Sequence, residues 1–204
     1  RLRTVTGVQT CALPISRYHP ALRFAAAPRR ELGVPTTFNF LGPLANPARV
    51  RRQVVGVADP GMADRIVHTL AELGASRAMV FFGHDGLDEL TTTDVSTVRE
   101  YRDGEHRVWL LDPAEHGIAR STRDALVGGD PAHNAAMARR LLDGEPGPVR
   151  DVVVLNAAAA LVAADAAADL DAAIALAGRV IDEGAAAAAL DRLVATSTAH
   201  AEPS

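Results

Sequence analysis

The sequence predicts an α/β fold, a largely parallel sheet flanked by helices, and three observations carry that reading. Short apolar runs alternate with stretches of helical spacing in the first half of the chain, and a succession of helices follows. Residues 78–82 read Ala-Met-Val-Phe-Phe, an uninterrupted apolar run of the kind found in strands covered on both faces. A length of 204 residues with a formal net charge of -4 suits one domain, or one domain and part of another.

The elements follow in order. Residues 17–32 read as a helix with Leu22, Phe24 and Leu32 among its apolar positions, Pro28 marking a kink or a division in two, and Gly33 as its stop. Residues 34–47 are rich in Pro, Gly and Asn and read as an ordered loop with at most a short helical turn. Residues 53–57 form a short apolar strand. Ile66, Val67, Leu70 and Leu73 fall at helical spacing over residues 62–73, which close at Gly74. The strand 78–82 comes next. Residues 97–101 and 107–111 flank Asp103-Gly104, a hairpin signal that predicts an antiparallel pair. Residues 132–142 form a helix with Asp130 as N-cap and Pro131 in its first position. Residues 152–155 have the β-branched content of a strand, but Asn156 and the alanine run behind it favour a helix over 152–164. Residues 170–182 and 185–194 are two further helices, separated at Gly184.

Composition narrows the functional classes. Alanine supplies much of the hydrophobic fraction and aromatic residues are few, so the helices must pack through small side chains. The chain contains no lysine, which excludes Schiff-base chemistry and a phosphate-loop lysine within these residues. Its slightly acidic balance gives no support for a broad nucleic-acid or anionic-membrane surface. No apolar run reaches the roughly 20 residues needed to span a bilayer; the longest, 152–168, is interrupted by Asn156 and Asp165. A soluble cytoplasmic protein is the plain expectation.

Residues 5–15 (Val-Thr-Gly-Val-Gln-Thr-Cys-Ala-Leu-Pro-Ile) are similar to the translation of a common short-read sequencing adapter. A signal peptide and a genuine N-terminal arm are the alternatives, and a signal peptide would begin with methionine and carry a continuous apolar core. We therefore read 1–16 as an adapter-derived, non-native segment, 17–195 as an incomplete α/β domain and 196–204 as a disordered tail. On that reading the one cysteine, Cys11, has no biological role.

Two stretches carry the chemistry. Residues 29–47 read Arg-Arg-Glu-Leu-Gly-Val-Pro-Thr-Thr-Phe-Asn-Phe-Leu-Gly-Pro-Leu-Ala-Asn-Pro, and residues 85–89 read Asp-Gly-Leu-Asp-Glu. Arg29 offers a planar fork of donors suited to an aromatic carboxylate, where an unplaced helix arginine is otherwise solvated or ion-paired. Arg30, its neighbour, points to another face. Asp88 and Glu89 follow strand 78–82, beyond the carboxyl end where ligand sites of open α/β sheets lie. Two adjacent carboxylates hold a hard cation through oxygen ligands and water, although loop acids alone are usually just solvated. Asp85 shapes the turn before Gly86.

Together these stretches resemble the signatures of the anthranilate phosphoribosyltransferase family, at that family's spacing. The resemblance covers about residues 17–194 and extends to Asn156-Ala157-Ala158-Ala159-Ala160-Leu161 and to Gly184. It implies a nucleoside phosphorylase/phosphoribosyltransferase-like C-terminal domain truncated at its N-terminus. It implies an enzyme that joins anthranilate to 5-phosphoribosyl 1-diphosphate in tryptophan biosynthesis. Arg29 then matches the arginine holding the anthranilate carboxylate, Asp88 and Glu89 match a Mg2+-binding pair, and His19-Pro20 resembles a pair lining the anthranilate channel. His19 is otherwise simply a histidine near a helix start.

Gly128-Gly129-Asp130 is not the family's diphosphate-cradling Gly-Thr-Gly-Gly-Asp loop. It resembles a different family block, with His133 where an acid is commoner, and reads as a helix start with phosphate binding as the lesser alternative. His68, His84, His106, His116 and His200 show no metal-site spacing. The glycine loop, the Lys-His-Gly-Asn segment and the helical domain that the family uses to hold the donor and to form its homodimer have no counterpart in these residues. The isolated chain is accordingly expected to be inactive. A pyrimidine-nucleoside phosphorylase shares the fold, but its phosphate and base motifs are not seen. A non-catalytic nucleic-acid-binding relative would need a basic groove.

Overall fold

The computed structural model describes residues 19–21, 24, 27–28, 31–33, 40–46 and 48–199. Arg29, Phe38, Asn39 and Pro47 lie outside them. Phe24, Ala27, Pro28, Glu31 and Leu32 are helical, and Gly33 stops the chain with a φ of 64°. The Pro- and Gly-rich loop that follows contains one helical turn, α1 (Leu41–Leu44).

Strand β1 (Arg52–Gly56) leads into α2 (Pro60–Glu72). Asp59 caps α2 by accepting from the Gly61 N–H at 2.9 Å, and Pro60 occupies the first position, where no donor is needed. β2 (Arg77–Gly83) then lies parallel to β1, because a helical crossover returns the chain to the same end of the sheet. No helix follows β2. The loop 84–95 turns the chain directly back, so β3 (Ser96–Arg102) is antiparallel to β2. β4 (Glu105–Leu111) pairs with β3 across Asp103-Gly104, whose φ values of 49° and 94° suit a two-residue hairpin turn. The sheet order is β1-β2-β3-β4. This corrects the largely parallel sheet expected from sequence: the α/β class stands, but the four strands form a mixed sheet with one parallel pairing.

Two short 3-10 helices (Pro113–His116 and Arg123–Leu126) and four α-helices complete the described chain: α3 (Pro131–Leu142), α4 (Pro148–Ala163), α5 (Leu170–Asp182) and α6 (Ala185–Ala199). Residues 152–155 are helical within α4, as the alanine run behind them required. The tail expected from Thr196 is corrected in part. α6 continues through Ala199, where the Ser197 hydroxyl donates back to the Val194 carbonyl at 3.0 Å.

The strict alternation of β2 divides the core. Ala78 and Val80 face α2, packing with Val55, Ala63, Ile66, Val67 and Leu70. Met79 and Phe81 face α4 and α5, packing with Leu155, Ala158, Ala159 and Ala173. Burying a side chain such as Leu155 completely contributes about 1.5–3 kcal/mol. At the far end of the sheet the buried Arg77 clamps three elements. Its guanidinium donates to Glu100 on β3 at 2.8 Å, to the Val162 carbonyl at 2.5 Å and to Asp165 at 2.8 Å. Arg52 adds a bond of 2.7 Å to the Ala164 carbonyl, so two cations meet the C-terminal carbonyls of α4. Among the described residues no helix is long and apolar enough to cross a membrane.

Candidate functional site

The loop between β2 and β3 carries Asp88 and Glu89, and three separate devices fix its course. The first is a knot of short polar side chains. Asp85 accepts from the Leu87 N–H at 3.1 Å, from the Thr91 hydroxyl at 2.7 Å and from the Thr93 hydroxyl. Thr91 and Thr92 are fully buried. Their remaining groups are satisfied by Ser96, whose hydroxyl oxygen accepts from the Thr91 N–H at 3.0 Å, and by Ser121, 2.7 Å from the Thr92 hydroxyl. Burial alone would raise the Asp85 pKa. Hydrogen bonds from Thr93, Thr91 and Leu87, with the Arg123 charge, overcome it and hold the carboxyl below its ordinary range.

The second device is Asn156 on α4. Its side-chain oxygen accepts from the Leu90 N–H at 3.0 Å, and its amide nitrogen donates to the Leu90 carbonyl at 2.8 Å and to the Val152 carbonyl at 2.8 Å. The residue after Glu89 is thus held through both of its backbone groups. Leu90 itself is fully buried among Met79, Phe81 and Leu155.

Gly56, the last residue of β1, is the third. A Cβ placed there would lie 1.6 Å from the Asp88 carbonyl oxygen and 2.6 Å from its carbon. The backbone of the acidic pair therefore rests directly on the end of β1, and only a residue without a side chain permits the approach. Gly83, at the end of β2, is similarly covered by the Asp85 carboxylate, 2.4 Å from a built Cβ. The acids stand beyond the carboxyl ends of the parallel pair, where the sequence placed them.

Electrostatically the pair suits a cation. Burial and then the neighbouring Asp88 charge push the Glu89 carboxyl above its ordinary pKa. The desolvation is partial, and the part of the Glu89 side chain that meets solvent is screened from the repulsion. Among the described residues neither carboxylate is bonded to a basic side chain, and no group of three or more metal-ligating side chains forms. Two carboxylates with free oxygens, repelling each other at a strand end, fit Mg2+, which keeps most of its waters and takes further oxygens from substrate phosphates.

The other expected site residues are placed less completely. His19 is half-buried and donates through Nε2 to the Ala45 carbonyl at 2.8 Å, which ties it to the turn after α1. No bond joins it to Asp88 or Glu89 among the described residues. Arg29 lies outside the described residues, so its expected role rests on the resemblance. Gly128-Gly129-Asp130 is a closed helix start. Asp130 accepts from the His133 N–H at 2.8 Å, and Asn134 accepts from the Gly129 N–H at 2.7 Å, so the chain's own acceptors occupy donors a phosphate would need.

Residues 3–187 match the glycosyl transferase family, a/b domain. The chain belongs to this family. It is 51% identical over 197 residues to an anthranilate phosphoribosyltransferase of Thermobifida fusca (strain YX), covering 94% of this chain and 56% of that relative. It superimposes on the crystal structure of the anthranilate phosphoribosyltransferase of Thermus thermophilus with a TM-score of 0.81 at 43% identity, covering 88% of this chain and 53% of that one. A Saccharomyces cerevisiae anthranilate phosphoribosyltransferase variant with Mg bound gives 0.76 at 25% identity, covering 84% of this chain and 50% of that one. The chain spans about half the length of the curated relatives it matches. The family match begins at residue 3, within the segment read as adapter-derived.

Proposed function

We propose that this chain supplies the acceptor- and cation-binding wall of an anthranilate phosphoribosyltransferase. The parent enzyme transfers phosphoribosyl from 5-phosphoribosyl 1-diphosphate to anthranilate in the cytoplasm, as a homodimer. One observation carries the reading: Asp88 and Glu89 are held over Gly56 at the carboxyl end of the parallel strand pair, with oxygens free for a cation.

The residues divide the work. Asp88 and Glu89 would hold Mg2+ through carboxylate oxygens and water, and the bound ion would supply charge neutralisation for a departing diphosphate. Arg29 grips the anthranilate carboxylate with two parallel N–H bonds. His19, whose Nε2 is engaged by the Ala45 carbonyl, has Nδ1 left for the acceptor channel. The amino group of anthranilate attacks C1 of the ribose as diphosphate leaves. With an oxocarbenium-like transition state, orientation and charge compensation lower the barrier. No Gly-Thr-Gly-Gly-Asp sequence occurs in these 204 residues, so the chain alone does not turn over.

The test is a chimera. Residues 17–204 are joined to the preceding half of the Thermobifida fusca relative and expressed in a bacterium lacking its own enzyme. Growth without tryptophan is expected, and D88N/E89Q should abolish it. A soluble, folded chimera that gives no growth, or a D88N/E89Q chimera that grows normally, overturns the proposal.

A further inference from the structure

We infer that Asn156 is a positioning residue for the cation site, acting on Asp88 and Glu89 through the Leu90 backbone; this rests on the reading of the acidic pair given above. Asn156 touches neither acid, yet it engages both backbone groups of the residue that follows them, at 3.0 and 2.8 Å. A third bond, 2.8 Å to the Val152 carbonyl one turn back on α4, fixes its side-chain rotamer. The amide therefore joins a rigid helix, pinned at its other end by Arg77 and Arg52, to the flank of the two ligands.

The Asp85 knot holds Leu87 before the pair and Thr91 and Thr93 beyond Leu90, and Gly56 forms the floor, which leaves Leu90 itself to Asn156. With Asn156 in place the segment 86–89 is held at both ends, so the two carboxylates stand on fixed stems. Without it both Leu90 backbone bonds, at 3.0 and 2.8 Å, are lost, and the Glu89 stem loses the support next to it. The fully buried Leu90 side chain would still anchor the segment to the core, so the fold survives and the defect falls on the pair. Groups that orient metal ligands without touching the metal typically cost 10–100-fold in affinity when removed.

The probe is Mn2+ alone, titrated into the purified chain and read by paramagnetic broadening of backbone amides around residues 86–90. The wild-type chain should broaden there saturably. Asn156→Ala should weaken Mn2+ binding about tenfold, whereas Val162→Ala, a core truncation on the same helix, should lower the melting temperature and leave the affinity unchanged. D88N/E89Q should abolish the broadening; if it does not, the acidic pair is not the cation site and the proposed function fails with it. If the pair does bind but Asn156→Ala binds as the wild type does, the positioning role alone is overturned. Should Asn156→Ala not fold, reciprocity supplies a second measurement on the wild-type chain. Saturating Mg2+ must slow hydrogen exchange at the Leu90 amide, and an unchanged rate overturns the inference.

Discussion

Replacing Gly56 with alanine tests the claim that the acidic pair is seated on the end of β1. The added Cβ would stand 1.6 Å from the Asp88 carbonyl oxygen, and ordinary contact begins at 3.4 Å. The carbonyl must therefore move by about 1.8 Å, or β1 must move away from it. Neither is free: Leu90 is bonded to Asn156 two residues on, and Gly56 is paired with Phe81 in the sheet. Forcing a methyl into such a contact costs about 1–3 kcal/mol, and each backbone bond lost at Leu90 adds about 1 kcal/mol. For a chain of this size 1 kcal/mol lowers the melting temperature by about 2–4 °C, so a fall of roughly 5–15 °C is expected. Circular dichroism melting measures it, and amide shifts at Asp88, Glu89 and Leu90 show where the strain goes. A variant melting within about 1 °C of wild type, with those shifts unchanged, would refute the seating argument.

Three further outcomes follow from the same geometry. Glu89 carries a raised pKa, so its contribution to stability is most favourable below the ordinary value of 4.5 and is lost as pH rises through the raised one. Asp88→Asn removes the like charge and should bring the Glu89 carboxyl midpoint down, as followed by carbon NMR; an unmoved midpoint refutes the coupling. Asp85 behaves oppositely: its pKa is depressed, so its stabilisation is present above the ordinary 3.8 and disappears as pH falls through the lower value. Acid unfolding of Asp85→Asn should accordingly show a shallower loss of stability with falling pH than wild type, and equal slopes would refute it. Arg77→Met strands the half-buried Glu100 carboxylate and should cost about 3 kcal/mol by urea unfolding, with R77M/E100L recovering part of it; a cost below about 1 kcal/mol would show that the clamp is dispensable.

Local chemistry made much of the fold legible in the sequence. Asp130 with Pro131, Gly74 and Asp103-Gly104 each act within a few residues, and the caps, stop and turn they announce are present. The direction of β3 was not legible, because it depends on whether a crossover helix follows β2, and residues 84–95 read neither as helix nor as hairpin. α6 outran its expected end because helix-compatible alanines flank the Ser and Thr at 196–198. At the site, the carboxylates were readable as an adjacent pair after a strand. Their supports were not. Asn156 lies 66 residues from Leu90, and no local pattern marks an asparagine inside an alanine run as the partner of a distant backbone. Nothing near Gly56 in the sequence marks it as the floor beneath a loop more than 30 residues later.

That 66-residue separation has a consequence for how the protein is made. As the chain leaves the ribosome, the acidic segment emerges long before the helix that fastens it, and closing so wide a loop carries an entropic cost until the sheet exists. Translation products ending ahead of Pro148 can build the hairpin and the first crossover, yet they lack the clasp on the acidic loop. The seating of the acidic pair is in this sense a late property of the polypeptide, conferred by α4.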